Sequence, residues 1–231
     1  MARKPPLLNV DAGELPTEPE ELYALADLVH VACGGHAGDE AAMRRVLEAC
    51  AREGTRAGAH PSYEDRAGFG RVRLEVALDL LRAQLEAQLA RLRAVAQASG
   101  VRLVSVKPHG ALYHAASAEP AVAEACVAAT FAALGEVVVV GPAQGGALAA
   151  AAAAHGLPYL REAFADRGVR PDGSLVPRGM PGALIEDPAL VAARARDLAA
   201  HDEVDTICLH GDTHGALAIA RAVREALGPR A

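Results

Sequence analysis

The feature that most constrains this chain is a regular alternation of short apolar runs with longer segments of helical period. Seven such runs occupy residues 7–11, 28–33, 56–60, 103–108, 136–141, 158–164 and 206–210. Helical segments lie between them. The clearest covers 74–98, where Leu74, Leu78, Leu81, Leu85, Leu89, Leu92 and Val95 mark one face. Others begin near Asp39, Glu119, Gln144, Pro188 and Thr213, and a short one spans 18–26. A strand followed by a helix returns to the sheet as a parallel neighbour through a right-handed crossover. The chain is therefore an α/β fold with a parallel sheet, either closed into a barrel or open and doubly wound.

The polar residues favour closure. Asn9, Asp11 and Glu14, His36 and Asp39, His60, Lys107 and His109, Asp166 and Arg167, and His210 and Asp212 all fall at or just past strand C-terminal ends. In an open sheet the outer ends would lie too far apart for one site, whereas a barrel gathers them on one rim. The expectation is a single domain over 1–231, built as a seven-unit β/α barrel. Two connections, 61–73 and 165–187, exceed the usual length of about two to six residues. Both are rich in Gly, Pro and Arg and follow strand ends on the presumed active rim, as lids and binding loops do.

Composition narrows the partners. Hydrophobic residues at 52% supply a large core. A net charge of −6 with no basic stripe, and aromatics at 3%, leave no platform for nucleic acid. Each apolar stretch is broken by polar residues before bilayer length, and the N-terminus lacks a signal-type apolar region. The expectation is a soluble, cytoplasmic protein acting on a small molecule, with no nucleic-acid or membrane partner and homo-oligomerisation left open. The four cysteines form no C-x-x-C pair and read as reduced, packed thiols, with Cys33 the exception because its motif is polar.

Asp11 and Glu14 at one strand exit can share a pocket, where mutual repulsion raises one pKa for general acid–base work; a turn is the bland alternative. Gly34, Gly35 and Gly38 around His36 allow close backbone approach to a ligand, and Asp39 suits a helix cap. Lys107 is one of two lysines among 23 basic residues, a compact ammonium where the chain otherwise uses Arg. Proline follows both His60 and Lys107 and fixes the backbone before it. His210 and His214 have H-x-x-x-H spacing, which invites zinc, but a strand–Gly–helix break separates them. Metal dependence stays open, and no residue is assigned as a metal ligand. Asp212 or Thr213 can cap the last helix. The glycine-rich stretch 141–146 lacks the order of a Walker loop, so no ATP site of that kind is visible.

Six motifs in order carry a resemblance: NVDAGE (9–14), ACGGHAGD (32–39), GAHPSYEDRAGFGR (58–71), VKPHGALYH (106–114), FADRGVRPDGSLVPRGMPGALIEDP (164–188) and CLHGDTHGALAIARAVR (208–224). Together they resemble the family of 5-oxoprolinase A-type subunits, also called LamB/YcsF or lactam utilisation. The resemblance covers nearly the whole chain. It implies a barrel of the glycoside hydrolase/deacetylase type and ATP-dependent hydrolysis of 5-oxoproline to L-glutamate, performed with two further subunits, B and C. On that basis Asp11, Glu14, Lys107 and His109 are the catalytic candidates. Asn9, His36, His60, Arg167, His210 and Asp212 are the substrate-binding ones. ATP is the expected cosubstrate, acting through the complex. The chain departs from the family pattern at Ala12, His30, Gly35 and His214. Two rival expectations are a metal-dependent deacetylase or amidohydrolase using Asp11, His210 and His214, and a non-catalytic ligand-binding subunit.

Overall fold

The computed structural model describes residues 4–170 and 175–230; positions 1–3, 171–174 (part of the second long loop) and 231 lie outside the described residues. Seven strands, β1 (Leu7–Ala12), β2 (Leu28–Ala32), β3 (Arg56–His60), β4 (Leu103–Val106), β5 (Val138–Pro142), β6 (Tyr159–Phe164) and β7 (Thr206–His210), pair in chain order, all parallel. β1 also pairs with β7, so the sheet closes. The expected α/β barrel is the observed one.

The period of two along each strand divides core from site. In β1, Leu8, Val10 and Ala12 join the apolar shell beneath the helices, while Asn9 and Asp11 reach across the interior to Glu162 and Lys107. In β7, Ile207 and Leu209 lie in the apolar shell, while Thr206 and Cys208 meet Asn9 and Lys107. Barrel interiors of this kind are usually filled by branched aliphatics; here a polar cluster occupies the centre. Space there is tight. A Cβ on Gly58 would stand 2.2 Å from Ser105 Oγ and 2.9 Å from His30 Cδ2, so β3 needs glycine at that point.

Eight helices among the described residues wrap the barrel: α1 (Glu21–Leu25), α2 (Glu40–Glu53), α3 (Leu78–Ala98), α4 (Gly110–Ala118), α5 (Pro120–Leu134), α6 (Ala147–Ala154), α7 (Pro188–Ala199) and α8 (Ala216–Leu227). Asp39 caps α2 as expected, accepting from the Ala42 amide at 2.8 Å. Three expectations need correction. The long helix begins at Leu78 rather than at 74, and Leu78 itself is exposed; Leu74 and Val76 still pack on the core from an extended lead-in. Residues 110–118, with no helical periodicity of their own, form α4, bent by 116° from α5 where Glu119 and Pro120 break the run. The last helix starts from Gly215 without a side-chain cap, because Asp212 is engaged elsewhere. No single helix among the described residues is long and apolar enough to cross a membrane.

Candidate active site

The loop after β1 is wrapped around one carboxylate. Glu18 accepts the amides of Gly13, Glu14 and Leu15 at 2.7–2.8 Å and the Tyr23 hydroxyl at 2.7 Å. This fixes the backbone that carries Glu14. Glu14 Oε1 then meets three imidazoles: His36 Nε2 at 2.9 Å, His109 Nδ1 at 3.2 Å and His60 Nε2 at 3.8 Å. Asp11 lies alongside, with Lys107 Nζ at 2.6 Å and His60 Nε2 at 3.3 Å. All of these side chains are buried.

The charge states follow from these contacts. Burial pushes the Asp11 carboxyl up, but His60, Lys107 and His210 outweigh it and hold it well below its usual range. Burial opposes ionisation of Glu14 too, yet its polar contacts with His109 and His36 pull it well down. The expected repulsion between the two carboxylates does not raise either pKa, because each has its own cationic or donor partner. Burial would lower Lys107, but Asp11, Cys208 and Glu162 raise it well above the ordinary lysine value. Its ammonium also touches Asn9 Oδ1 at 3.0 Å and Glu162 Oε1 at 3.2 Å. Burial lowers His36 to about 4 and lowers His109 as well. The site is thus two buried carboxylates and one ammonium beside the neutral imidazoles of His36 and His109.

The opposite side of the mouth is built differently. Arg178 clasps Asp212 through both terminal nitrogens, at 2.8 and 3.1 Å, and Arg71 from the 61–73 loop joins the same carboxylate. Arg167 spends its guanidinium on the carbonyls of Ala183 and Val176. His210 is held by Asp166, which takes its backbone amide at 2.8 Å and its Nδ1 at 3.1 Å. Between the two sides lies a cavity of about 740 Å³, bordered by Asp11, Glu14, Lys107, His109, Arg178 and His210 among others.

Eight of the ten sequence-derived candidates line or directly flank this cavity. Asn9 does not: its amide lies in the barrel floor, bonded to Glu162 and Thr206. His36 lies behind the wall, stacked on His109 with ring centroids 3.7 Å apart. His60 lines the wall, as do Arg167 and His210, and Asp212 flanks it through its arginines. The His210/His214 zinc reading fails among the described residues, because His214 is exposed and belongs to no ligand-spaced group. Cys33 is buried and inert, its thiol pushed up to about 12 by burial; the thiol in polar company is Cys208, 3.2 Å from Lys107 Nζ. Sequence reasoning missed Glu162, Arg71 and Arg178. Glu162 was detectable as a lone carboxylate in the middle of a strand; the arginines sit in long loops with no local periodicity to place them.

A closed parallel barrel with buried carboxylates, an ammonium and histidines converging on one rim places the chain among β/α-barrel proteins with a polar site at the strand ends. Within it, residues 8–230 match the LamB/YcsF family, and the chain belongs to that family. It is 44% identical to the 5-oxoprolinase A-type subunit of Streptomyces griseus, over 95% of this chain and 94% of that one. It is 42% identical to the corresponding 5-oxoprolinase A-type subunit of Methylococcus capsulatus, over 96% and 92%. In three dimensions it is similar to the lactam utilization protein of Thermus thermophilus, with a TM-score of 0.87 and 32% identity over 98% of this chain and 99% of that one.

Proposed function

We propose that this chain is the ring-opening subunit of a 5-oxoprolinase, hydrolysing the lactam 5-oxoproline to L-glutamate in an ATP-coupled reaction within a complex with subunits B and C. The observation that carries the reading is the near full-length likeness to relatives of that name, joined to a buried acid–base cluster facing an arginine-lined mouth. An unstrained lactam is a poor electrophile, and phosphorylation of its amide oxygen by ATP makes the ring carbon attackable. Water then adds at that carbon, Asp11 takes the proton, and the C–N bond breaks as the nitrogen gains a proton. The product is γ-glutamyl phosphate, and a second water releases phosphate from it. Arg71 and Arg178 suit the carboxylate and phosphoryl oxygens. Lys107 holds Asp11 ionised and in place. In this reading the partner subunits contribute to the ATP-dependent activation and this chain to ring opening, in the cytoplasm where ATP is available.

The test is a coupled assay of the chain with its partner subunits, 5-oxoproline and ATP, reading glutamate and phosphate. Omitting this chain abolishes glutamate, and Asp11→Asn lowers turnover by about 10²–10⁴-fold. Undiminished glutamate from the partners alone would overturn the proposal.

A further inference from the structure

The imidazole pair at the centre of the site has its proton positions dictated by backbone. His60 Nδ1 lies 2.7 Å from the Lys107 carbonyl, and His109 Nε2 lies 2.9 Å from the Phe69 carbonyl. A carbonyl oxygen only accepts, so both of these nitrogens carry their hydrogens. The inward nitrogens, His60 Nε2 and His109 Nδ1, are then bare lone pairs. They stand 3.0 Å apart, with Glu14 Oε1 at 3.8 and 3.2 Å from them. Three acceptors converge on one point, and Asp11 Oδ2 lies just beyond at 3.3 Å from His60 Nε2. Such a convergence in a buried site needs a cation at its centre.

We infer that Glu14, His60 and His109 form a three-ligand centre for a divalent transition metal of the zinc type, with its fourth position open to the cavity. The spacing fits. Zinc bonds of about 2.0–2.1 Å at tetrahedral angles set ligand atoms about 3.3–3.4 Å apart. The observed edges are 3.0, 3.2 and 3.8 Å. The His60 and His109 rings stand 88° apart, so their in-plane lone pairs approach from different directions. Both histidines donate their outer N–H to a backbone carbonyl, the arrangement that orients metal-bound imidazoles.

His36 stays outside the ligand set. Its ring is stacked on that of His109, 3.7 Å between centroids and within 2° of parallel. Its Nε2 instead donates to Glu14 Oε1 and orients that carboxylate. The Phe69 carbonyl that fixes His109 belongs to the one non-glycine residue with positive φ (55°) among the described residues. Two nitrogens and one carboxylate oxygen favour zinc, or cobalt and nickel, over calcium or magnesium. A bound water at the open position would face Asp11. That use of the ion rests on the ring-opening proposal; its binding does not.

The test reads occupancy rather than activity. The full chain is stripped with a chelator and titrated with Zn²⁺ by calorimetry, and with Co²⁺ by its visible d–d absorption. The expectation is one ion per chain, a metal-dependent rise in Tm, and an affinity lowered by at least about 10–100-fold in Glu14→Gln and in His109→Ala. The control His155→Ala, at a half-buried histidine that pairs with Glu124 instead, binds as the unaltered chain does. Glu14→Gln keeps the side-chain shape, so the test stands if His109→Ala fails to fold. A single proton shared by the two imidazoles is the competing occupant. Its signature, no saturable one-to-one uptake of either ion or uptake unchanged in Glu14→Gln, overturns the inference whether or not the chain turns over 5-oxoproline in its complex.

Discussion

The two sides of the cavity mouth are made of different chemistry and held in different ways. The β1–β4 side carries Asp11, Glu14, His60, Lys107 and His109, all buried and cross-bonded from strand ends or the turns next to them. The β6–β7 side, with the 61–73 loop, carries Arg71, Arg178 and Asp212, partly exposed and borne mainly on long loops. A reacting group must be fixed to a fraction of an ångström, and short strand-end connections provide that. A group that receives an anionic substrate has to exchange partners, and loop arginines resting on a carboxylate can do so. The contrast assigns chemistry to the first side and substrate capture to the second.

That division can be broken by substitution. The largest effect on stability is expected at Lys107→Met, which leaves Asp11 and Glu162 without their shared cation. Removing one partner of a buried pair costs roughly 3–5 kcal/mol, read as a shift in the denaturant midpoint. A loss below about 1 kcal/mol would place the ammonium outside the fold's supports. Next comes Gly58→Ala, whose methyl would meet Ser105 and His30; overpacking of this kind costs roughly 1–3 kcal/mol. Equal stability of the two chains by calorimetry would show the interior to be looser than described.

On the loop side, Arg178→Ala is expected to change stability by at most about 1 kcal/mol, since its partners are partly solvated. A loss as large as that of Lys107→Met would erase the distinction between the sides. The smallest effect concerns acid. Burial pushes the Asp166 carboxyl up, but the charge and hydrogen bonds of His210 outweigh burial and leave its pKa lowered. A depressed carboxylate adds stability above the ordinary aspartate range and loses it as pH falls through the folded-state value. Tm should therefore fall on acidification below that range, and less steeply in Asp166→Asn; parallel acid limbs would count against the His210 contact.

Much of the fold could be read from residues alone. All seven strands were legible because each is a short apolar run ending in polar residues, and Asp11, His60 and His210 mark three of those ends. Closure was legible because those ends share chemistry. The α4 helix was not, since Gly110–Ala118 is short and rich in alanine and offers no clear period to read. Nor were the pairings legible: that Lys107 serves Asp11 and Glu162, or that Asp212 collects two arginines, depends on the register across the barrel. The Asp11–Glu14 spacing promised mutual repulsion, and only the surrounding imidazoles and ammonium reverse its sign.

The division of labour across the mouth is tested most directly by steady-state kinetics of the assembled complex with Asp11→Asn and Arg178→Ala side by side. Losing a charged hydrogen bond to bound substrate, worth roughly 1.5–3 kcal/mol, should raise KM for 5-oxoproline by about ten- to a hundredfold in Arg178→Ala with kcat little changed. In Asp11→Asn, kcat should fall while KM stays close to its starting value. The reverse pattern, or kcat unmoved by Asp11→Asn, would contradict the account.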